Sequence, residues 1–216
     1  RNLAVDEDAD ARIGGFFTMS AILTVVMAVA YIIAPPPNIG IQEGQLAPDI
    51  NGESYSSGSW EDFRLYDIID RSWVEGDNGT WIFLQFMDTD CGHCWDAGAE
   101  MSDLYTTYNQ YDVTFISVSV EVVGSGHSKS EIAAFKDKTD LDGCSGNSNC
   151  KDRPGDVHPW AYVDALDGKA QSDYEIPGTP FELLLSPDGV VVWNSAQGAD
   201  RGENSDNALY RNLMAE

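Results

Sequence analysis

The sequence predicts an α/β domain, a mixed central sheet flanked by helices, behind one N-terminal transmembrane helix. Three observations predict it. Residues 13–34 are uncharged and almost wholly apolar. A strand-like run, Trp81-Ile82-Phe83-Leu84-Gln85-Phe86, leads into Cys91-Gly92-His93-Cys94 and then into a helical pattern. Strand and helix patterns then alternate until a closing hairpin and a last helix, the order of a sheet with helices on its faces.

Size and charge bound the function. The 216 residues suit one globular domain with an extension. Thirty-six acids against twelve bases give a formal charge of −24, spread along the chain. Such a surface repels polyanions, so no nucleic acid is expected among the partners. It suits a solvated acidic coat in a salty exterior, or steering toward a basic partner.

No charged residue lies between Arg12 and Glu43. At about 1.5 Å per residue the run 13–34 spans roughly 33 Å, enough for a hydrocarbon core of about 30 Å. A buried core helix would show a polar face, and this run has none. Arg1 and Arg12 precede it, and no Lys or Arg follows until Arg64, a bias that places the N-terminus in the cytoplasm and the domain outside. Ala28-Val29-Ala30 has the form of a signal-peptide cleavage site, but the acidic N-terminal flank and the continuing apolar run favour an uncleaved anchor. The expected organisation is a short cytoplasmic N-terminus (1–12), a transmembrane helix in the bilayer (13–34), a Pro-containing linker (35–43) with Pro35-Pro36-Pro37 as a stiff spacer, and the folded domain (44–216).

Within the domain, Gly44 to Gly58 is polar and turn-rich. Ser59 with Asp62 reads as a capping box ahead of a helix over Trp60 to Trp73. After the turn at Gly76-Asp77-Asn78-Gly79 comes the strand from Trp81, then a helix over Trp95 to Tyr108. Val113 to Val120 is a second strand of alternating and β-branched residues. Ser128 and Glu131 cap a helix to about Lys138, followed by a Gly/Asn/Ser/Asp-rich loop with Cys144 and Cys150. Phe181 to Leu185 and Val190 to Trp193 form a hairpin over Ser186-Pro187-Asp188-Gly189, where Pro presets φ and Gly supplies a positive φ. A last helix covers about Ser205 to Met214.

The cysteine pair carries the chemistry. A strand that delivers Cys-x-x-Cys to a helix N-terminus offers free N–H groups and positive dipole charge to a thiolate. In the favoured reading Cys91 is the exposed attacking thiol, Cys94 sits one turn in and resolves the mixed disulfide, and protonated His93 favours the thiolate of Cys91. Asp88, Asp90 and Asp96 oppose this. A unit charge about 6 Å away contributes roughly 0.7 to 2.8 kcal/mol as the effective dielectric falls from 80 to 20. Redox direction is therefore open at this level.

Residues 44–216 resemble the thioredoxin-like family, and more closely its membrane-anchored TlpA/ResA-type thiol–disulfide oxidoreductases. Ala47-Pro48-Asp49-Ile50 resembles that family's opening segment, and Cys91-Gly92-His93-Cys94 its active site. Tyr174-Glu175-Ile176-Pro177-Gly178-Thr179-Pro180, with Phe181-Glu182-Leu183-Leu184-Leu185 and the Pro-Asp-Gly turn, is similar to its cis-proline strand and hairpin. The resemblance implies a cis Thr179–Pro180 bond beside the cysteines, with Gly92, Thr179 and Pro180 docking substrate. It implies protein thiols or disulfides outside the cytoplasm as substrates, a membrane or exterior redox partner, and no cofactor. Three departures stand out. Asp90 replaces a usual Trp, Gln85 replaces the buried acid of thioredoxins, and Ala99 replaces a helix proline.

Cys144 and Cys150 read as a structural disulfide, in keeping with an exterior domain, or else as a second redox pair. Zinc finds no fitting ligand spacing. A non-catalytic copper-handling or adaptor protein of the same fold is the alternative function, with Cys91, Cys94 and His158 or His127 as copper ligands. A peroxidatic site lacks its proline, and Thr89 stands one residue too close to Cys91.

Overall fold

The computed structural model describes residues 19–24, 38–145 and 148–214. Of the expected membrane span 13–34, residues 19–24 are helical and the rest lies outside the described residues, as do residues 1–12 and the proline spacer. Among the described residues no helix is long and apolar enough to cross a membrane. The described residues from Asn38 onward gather into one compact unit.

Among the described residues seven strands form one mixed sheet. They are β1 (Asn51–Ser56), β2 (Ser59–Arg64), β3 (Trp81–Met87), β4 (Val113–Ser119), β7 (Ala161–Asp164), β8 (Phe181–Leu185) and β9 (Val191–Asn194), in the order β2-β1-β7-β4-β3-β8-β9. β3, β4 and β7 run parallel, and the hairpins β1–β2 and β8–β9 close the sheet antiparallel on either side. A separate ribbon pairs β5 (Asp142–Cys144) with β6 (Ser148–Asn149). The helices are α1 (Gly92–Tyr108), α2 (Lys129–Asp137), α3 (Lys169–Asp173), α4 (Ser195–Asp200) and α5 (Ser205–Leu213).

β3 reads as a continuous apolar run because both of its faces are covered, the usual state of a central parallel strand. Phe83 and Met87 point into one core with Met101 and Tyr108 of α1, Ile132 and Phe135 of α2, and Ala208 and Leu209 of α5. Ile82, Leu84 and Phe86 point into the other, with Ile116, Val118, Leu183, Tyr174 and the segment around Ala47 and Ile50. Ser128 caps α2 by accepting from Glu131 N, as the sequence predicts.

The expected helix over Trp60 to Trp73 does not form. Residues 51–64 make the β1–β2 hairpin instead, and a 3₁₀ turn follows at Leu65–Asp67. The two-residue loop decides it. Ser57 and Gly58 take φ of 50° and 85°, the paired left-handed geometry of a tight hairpin. Tyr55 and Trp60 then meet across the strands with ring centroids 5.2 Å apart, and Lys129 lies over the Trp60 ring. The apparent capping box at Ser59 was outweighed by these cross-strand contacts.

The linker expected over 35–43 is also shorter on the described side. Residues 38–43 belong to the domain: Leu46 N donates to Asn38 O, Gly40 N to Leu46 O, and Asn194 Nδ2 to Ile41 O. Arg201 pairs with Glu43 at 2.6 Å. β7 and the short helices α3 and α4, of four to six residues, are too brief to show periodicity in the sequence.

Cys144 and Cys150 are joined by a disulfide that closes the β5–β6 ribbon. Replacing both by Ser is expected to lower the unfolding free energy by about 2 kcal/mol, the chain-entropy value for so short a loop. Urea denaturation of the two proteins measures it.

Candidate active site

The end of β3 and the start of β8 place the cysteines. β3 and β8 are antiparallel with Phe86 opposite Phe181, so the chain leaving β3 toward Cys91 passes the chain entering β8 from Thr179. Cys91 is the N-cap of α1 in extended geometry, with its N–H donated to Asp88 O at 3.1 Å. Its Sγ donates to Thr179 O at 3.2 Å, and the Thr179–Pro180 peptide is cis. Cys94 lies one turn into α1.

Both cysteines are thiols, and both are buried, Cys91 at 4% exposure and Cys94 at 1%. The expectation of an exposed Cys91 is corrected here. The Thr179 carbonyl covers its sulfur, and the residues just before it are packed from two sides. Trp95 Nε1 and Ser145 N, the latter in the disulfide ribbon, both donate to Thr89 O. Burial, and then the hydrogen bond with Cys91, pushes the Cys94 thiol well above the ordinary thiol value. Cys94 is thus held protonated while Cys91 stands at the helix start. His93 and Gly92 are exposed on the first turn, and Thr179 and Pro180 are half-buried.

The three aspartates have different fates. Asp88 is buried and turned away into backbone amides: it accepts from Asp90 N at 2.8 Å, Val122 N at 2.7 Å and Val123 N at 2.8 Å. It ties the loop after β4 to the loop before Cys91. Asp96 is exposed, and Asp90 faces Gly124 and His127.

The histidines weighed as copper ligands serve elsewhere. His158 is stacked on Trp160 at 4.4 Å and shares a 2.6 Å hydrogen bond between its Nδ1 and Tyr162 Oη. Burial pushes its imidazole down to about 2, so it is neutral. Gly98 of α1 packs on it so closely that a Cβ there would stand 2.9 Å from His158 Cε1. His127 sits among Asp88, Thr89 and Glu131. Among the described residues neither histidine joins Cys91 and Cys94 in a close three-ligand set.

One acid was missed in the sequence. Glu182 stands opposite Gln85 on β8, accepts from Gln85 Nε2 at 3.1 Å and from Ser205 Oγ, and burial raises its carboxyl above the usual range. It puts a carboxyl beside the position where the resemblance expected one on β3. It also lines a pocket of about 380 Å³ with Glu100, Leu104 and Asp206. The available signal was a lone acid inside the apolar run Phe181–Leu185. Ala99 leaves α1 unbroken from Gly92 to Tyr108.

This sheet order with its helices defines a thioredoxin-like fold, and comparison with known structures agrees. The reduced 2-Cys peroxiredoxin of Plasmodium vivax is 18% identical with a TM-score of 0.54, covering 77% of this chain and 78% of its own. A thiol:disulfide interchange protein from Bacteroides sp. is 18% identical with a TM-score of 0.51, covering 80% of this chain and 91% of its own. The thioredoxin domain of a thiol-disulfide oxidoreductase from Bacteroides vulgatus is 18% identical with a TM-score of 0.50, covering 76% of this chain and all of its own. No family model and no curated protein matches the sequence.

Two outcomes test the site. Asp88→Ala leaves three amides without their acceptor and is expected to cost about 3 kcal/mol of stability, read by denaturant unfolding, with Asp88→Asn milder. For Cys94 the native thiol keeps its proton at pH values where the unfolded chain, near an ordinary thiol value of about 8.5, has released it. The native state then binds more protons than the unfolded one, so stability of the reduced protein falls as pH rises above that value, by up to about 1.4 kcal/mol per pH unit. Cys94→Ala should remove that component in urea titrations at pH 8 and pH 10.

Proposed function

We propose that this protein is a membrane-anchored, extracytoplasmic thiol–disulfide oxidoreductase that exchanges disulfides with protein substrates. The observation that carries the exchange chemistry is the hydrogen bond from Cys91 Sγ to Thr179 O beside cis-Pro180, with Cys94 buried one helical turn away. An apolar 13–34 run flanked by Arg1 and Arg12 supports the anchor and its orientation. A disulfide at Cys144–Cys150 supports the exterior placement.

The chemistry follows from the positions. Once a substrate segment displaces the Thr179 contact, Cys91 loses its proton to the solvent it then meets, and its thiolate attacks one sulfur of a substrate disulfide. That S–S bond breaks, one substrate sulfur leaves as thiolate, and a Cys91–substrate disulfide forms. Cys94, held protonated by burial, gives up its proton only at this stage and attacks Cys91 Sγ. The second substrate sulfur leaves, so the substrate gains two electrons and Cys91–Cys94 becomes the disulfide. Oxidation of a substrate dithiol is the same path reversed. Thr179 and Pro180, with exposed Gly92, offer backbone to an extended substrate segment once it displaces the Cys91 contact. Exposed His93 supplies positive charge near Cys91 when protonated.

Cys94→Ala is expected to accumulate a mixed disulfide at Cys91 with a disulfide-bonded test protein, resolved by non-reducing electrophoresis and mass spectrometry. Cys91→Ala should trap nothing and lose exchange by at least about a thousandfold. Undiminished exchange in Cys91→Ala overturns the reading. Equilibration of the wild-type pair in glutathione buffers then assigns direction: about −120 to −200 mV for an oxidase or isomerase, about −250 mV or lower for a reductase.

A further inference from the structure

Thr179 carries a hydroxyl that the dithiol state does not use. The residue is half-buried and its carbonyl accepts from Cys91 Sγ at 3.2 Å. Its Oγ1 is sealed from solvent and makes no hydrogen bond, and among the described residues it is the one hydroxyl so placed. A buried donor left unpaired costs free energy, and an apolar methyl in its place would not. Such an orphan is explained when its partner exists only in another state of the site.

Cys94 supplies that state. Burial, and then the hydrogen bond with Cys91, push its thiol up, whereas the Asp88 backbone amide and the Thr179 hydroxyl beside it act the other way. None of these groups is a cation, and the buried acid Glu182 is taken up by Gln85 and Ser205. A neutral thiol is a weak acceptor, so the Thr179 O–H gains little from it and stays unbonded. A thiolate accepts strongly, and charge-assisted bonds are the strong ones. Cys94 is 1% exposed, so solvent does little to stabilise its anion and fixed protein donors must.

We propose that the Thr179 hydroxyl, with the Asp88 amide beside it, is the donor that stabilises Cys94 as a thiolate in the second step of exchange. This role rests on the exchange reading and is separate from the docking of substrate on the Thr179 backbone. In that step the Cys94 S–H proton passes to the substrate thiolate released in the first step. The Cys94 electron pair forms the bond to Cys91 Sγ, the Cys91–substrate bond breaks, and its electron pair leaves on the second substrate sulfur. In reverse, a substrate thiolate attacks Cys91 of the disulfide and Cys94 leaves as thiolate, so the same donor serves both directions. Cys94 is protonated in the dithiol and bonded in the disulfide. The hydroxyl therefore alters the rates and not the reduction potential.

The test mixes the purified full chain, reduced, with glutathione disulfide and quenches it with acid at intervals for intact-mass spectrometry. Formation of the Cys91–glutathione species depends on the concentration of glutathione disulfide, and its resolution by Cys94 does not, so the two rates separate. Thr179→Val is expected to lower the ratio of resolution to formation by at least about tenfold, and Thr179→Ala likewise, with Thr179→Ser within about threefold of wild type. The Tm of reduced Thr179→Val should equal or exceed that of wild type, and its Cys91–Cys94 potential should not move. An unchanged ratio in Thr179→Val and Thr179→Ala overturns the inference, as does a loss in Thr179→Ser equal to that in Thr179→Val. So does a lowered Tm with a shifted potential, which marks a structural hydroxyl. Failure of the wild type to form the Cys91–glutathione species instead overturns the exchange reading, and this inference with it.

Discussion

The candidate active site depends on the pairing of β3 with β8. With Phe86 opposite Phe181, the two chains that leave this register lie side by side, one carrying Cys91 and the other Thr179 and Pro180. Burial of Phe83 and Met87 on one side of β3, and of Ile82, Leu84 and Phe86 on the other, holds that register. A one-residue slip would move each set into the wrong core. The thiol and the carbonyl that covers it are thus positioned by apolar packing rather than by their own weak contact.

Asp88 extends this control to the neighbouring loop. A carboxylate taken fully out of water needs strong donors, and three backbone amides supply them. Two of those amides belong to Val122 and Val123, so the chain after β4 is held against the chain after β3. That junction brings Asp90 of one loop toward His127 of the other. Acidic residues that look interchangeable in the sequence therefore do different work: Asp88 is a structural acceptor, Asp90 faces an imidazole, and Asp96 meets solvent.

The core on the α1 side accounts for the other histidine. His158 fits against Gly98, stacks on Trp160 and bonds to Tyr162, an arrangement that keeps the imidazole neutral and buried. On the same face of the sheet, Glu182 and Gln85 pair beneath α1 near α5. Both are polar exceptions in a packed interior: Gln85 and Glu182 bond to each other, whereas His158 is held by Tyr162 through Nδ1 and buries its Nε2 without a partner.

By itself, the sequence determined the elements whose signal is local. β3 announced itself by an unbroken apolar run, α2 by Ser128 and Glu131, the β8–β9 hairpin by Pro187-Asp188-Gly189, and the Cys91–Cys94 pair by its spacing at a strand–helix junction. The apolar run 13–34 and the charge asymmetry around it were equally plain as composition. Tertiary structure alone decided what depends on residues far apart in the chain. Residues 59–64 became a strand because Tyr55 and Trp60 meet across a tight Ser57-Gly58 turn, overriding a capping pattern. Cys91 became buried because a carbonyl 88 residues away covers its sulfur. Glu182 took its place beside Gln85 through strand register, and His127 came to sit among Asp88, Thr89 and Glu131 through loop packing. Local propensity acts over a few residues; burial and pairing between distant segments carry more free energy and settle the rest.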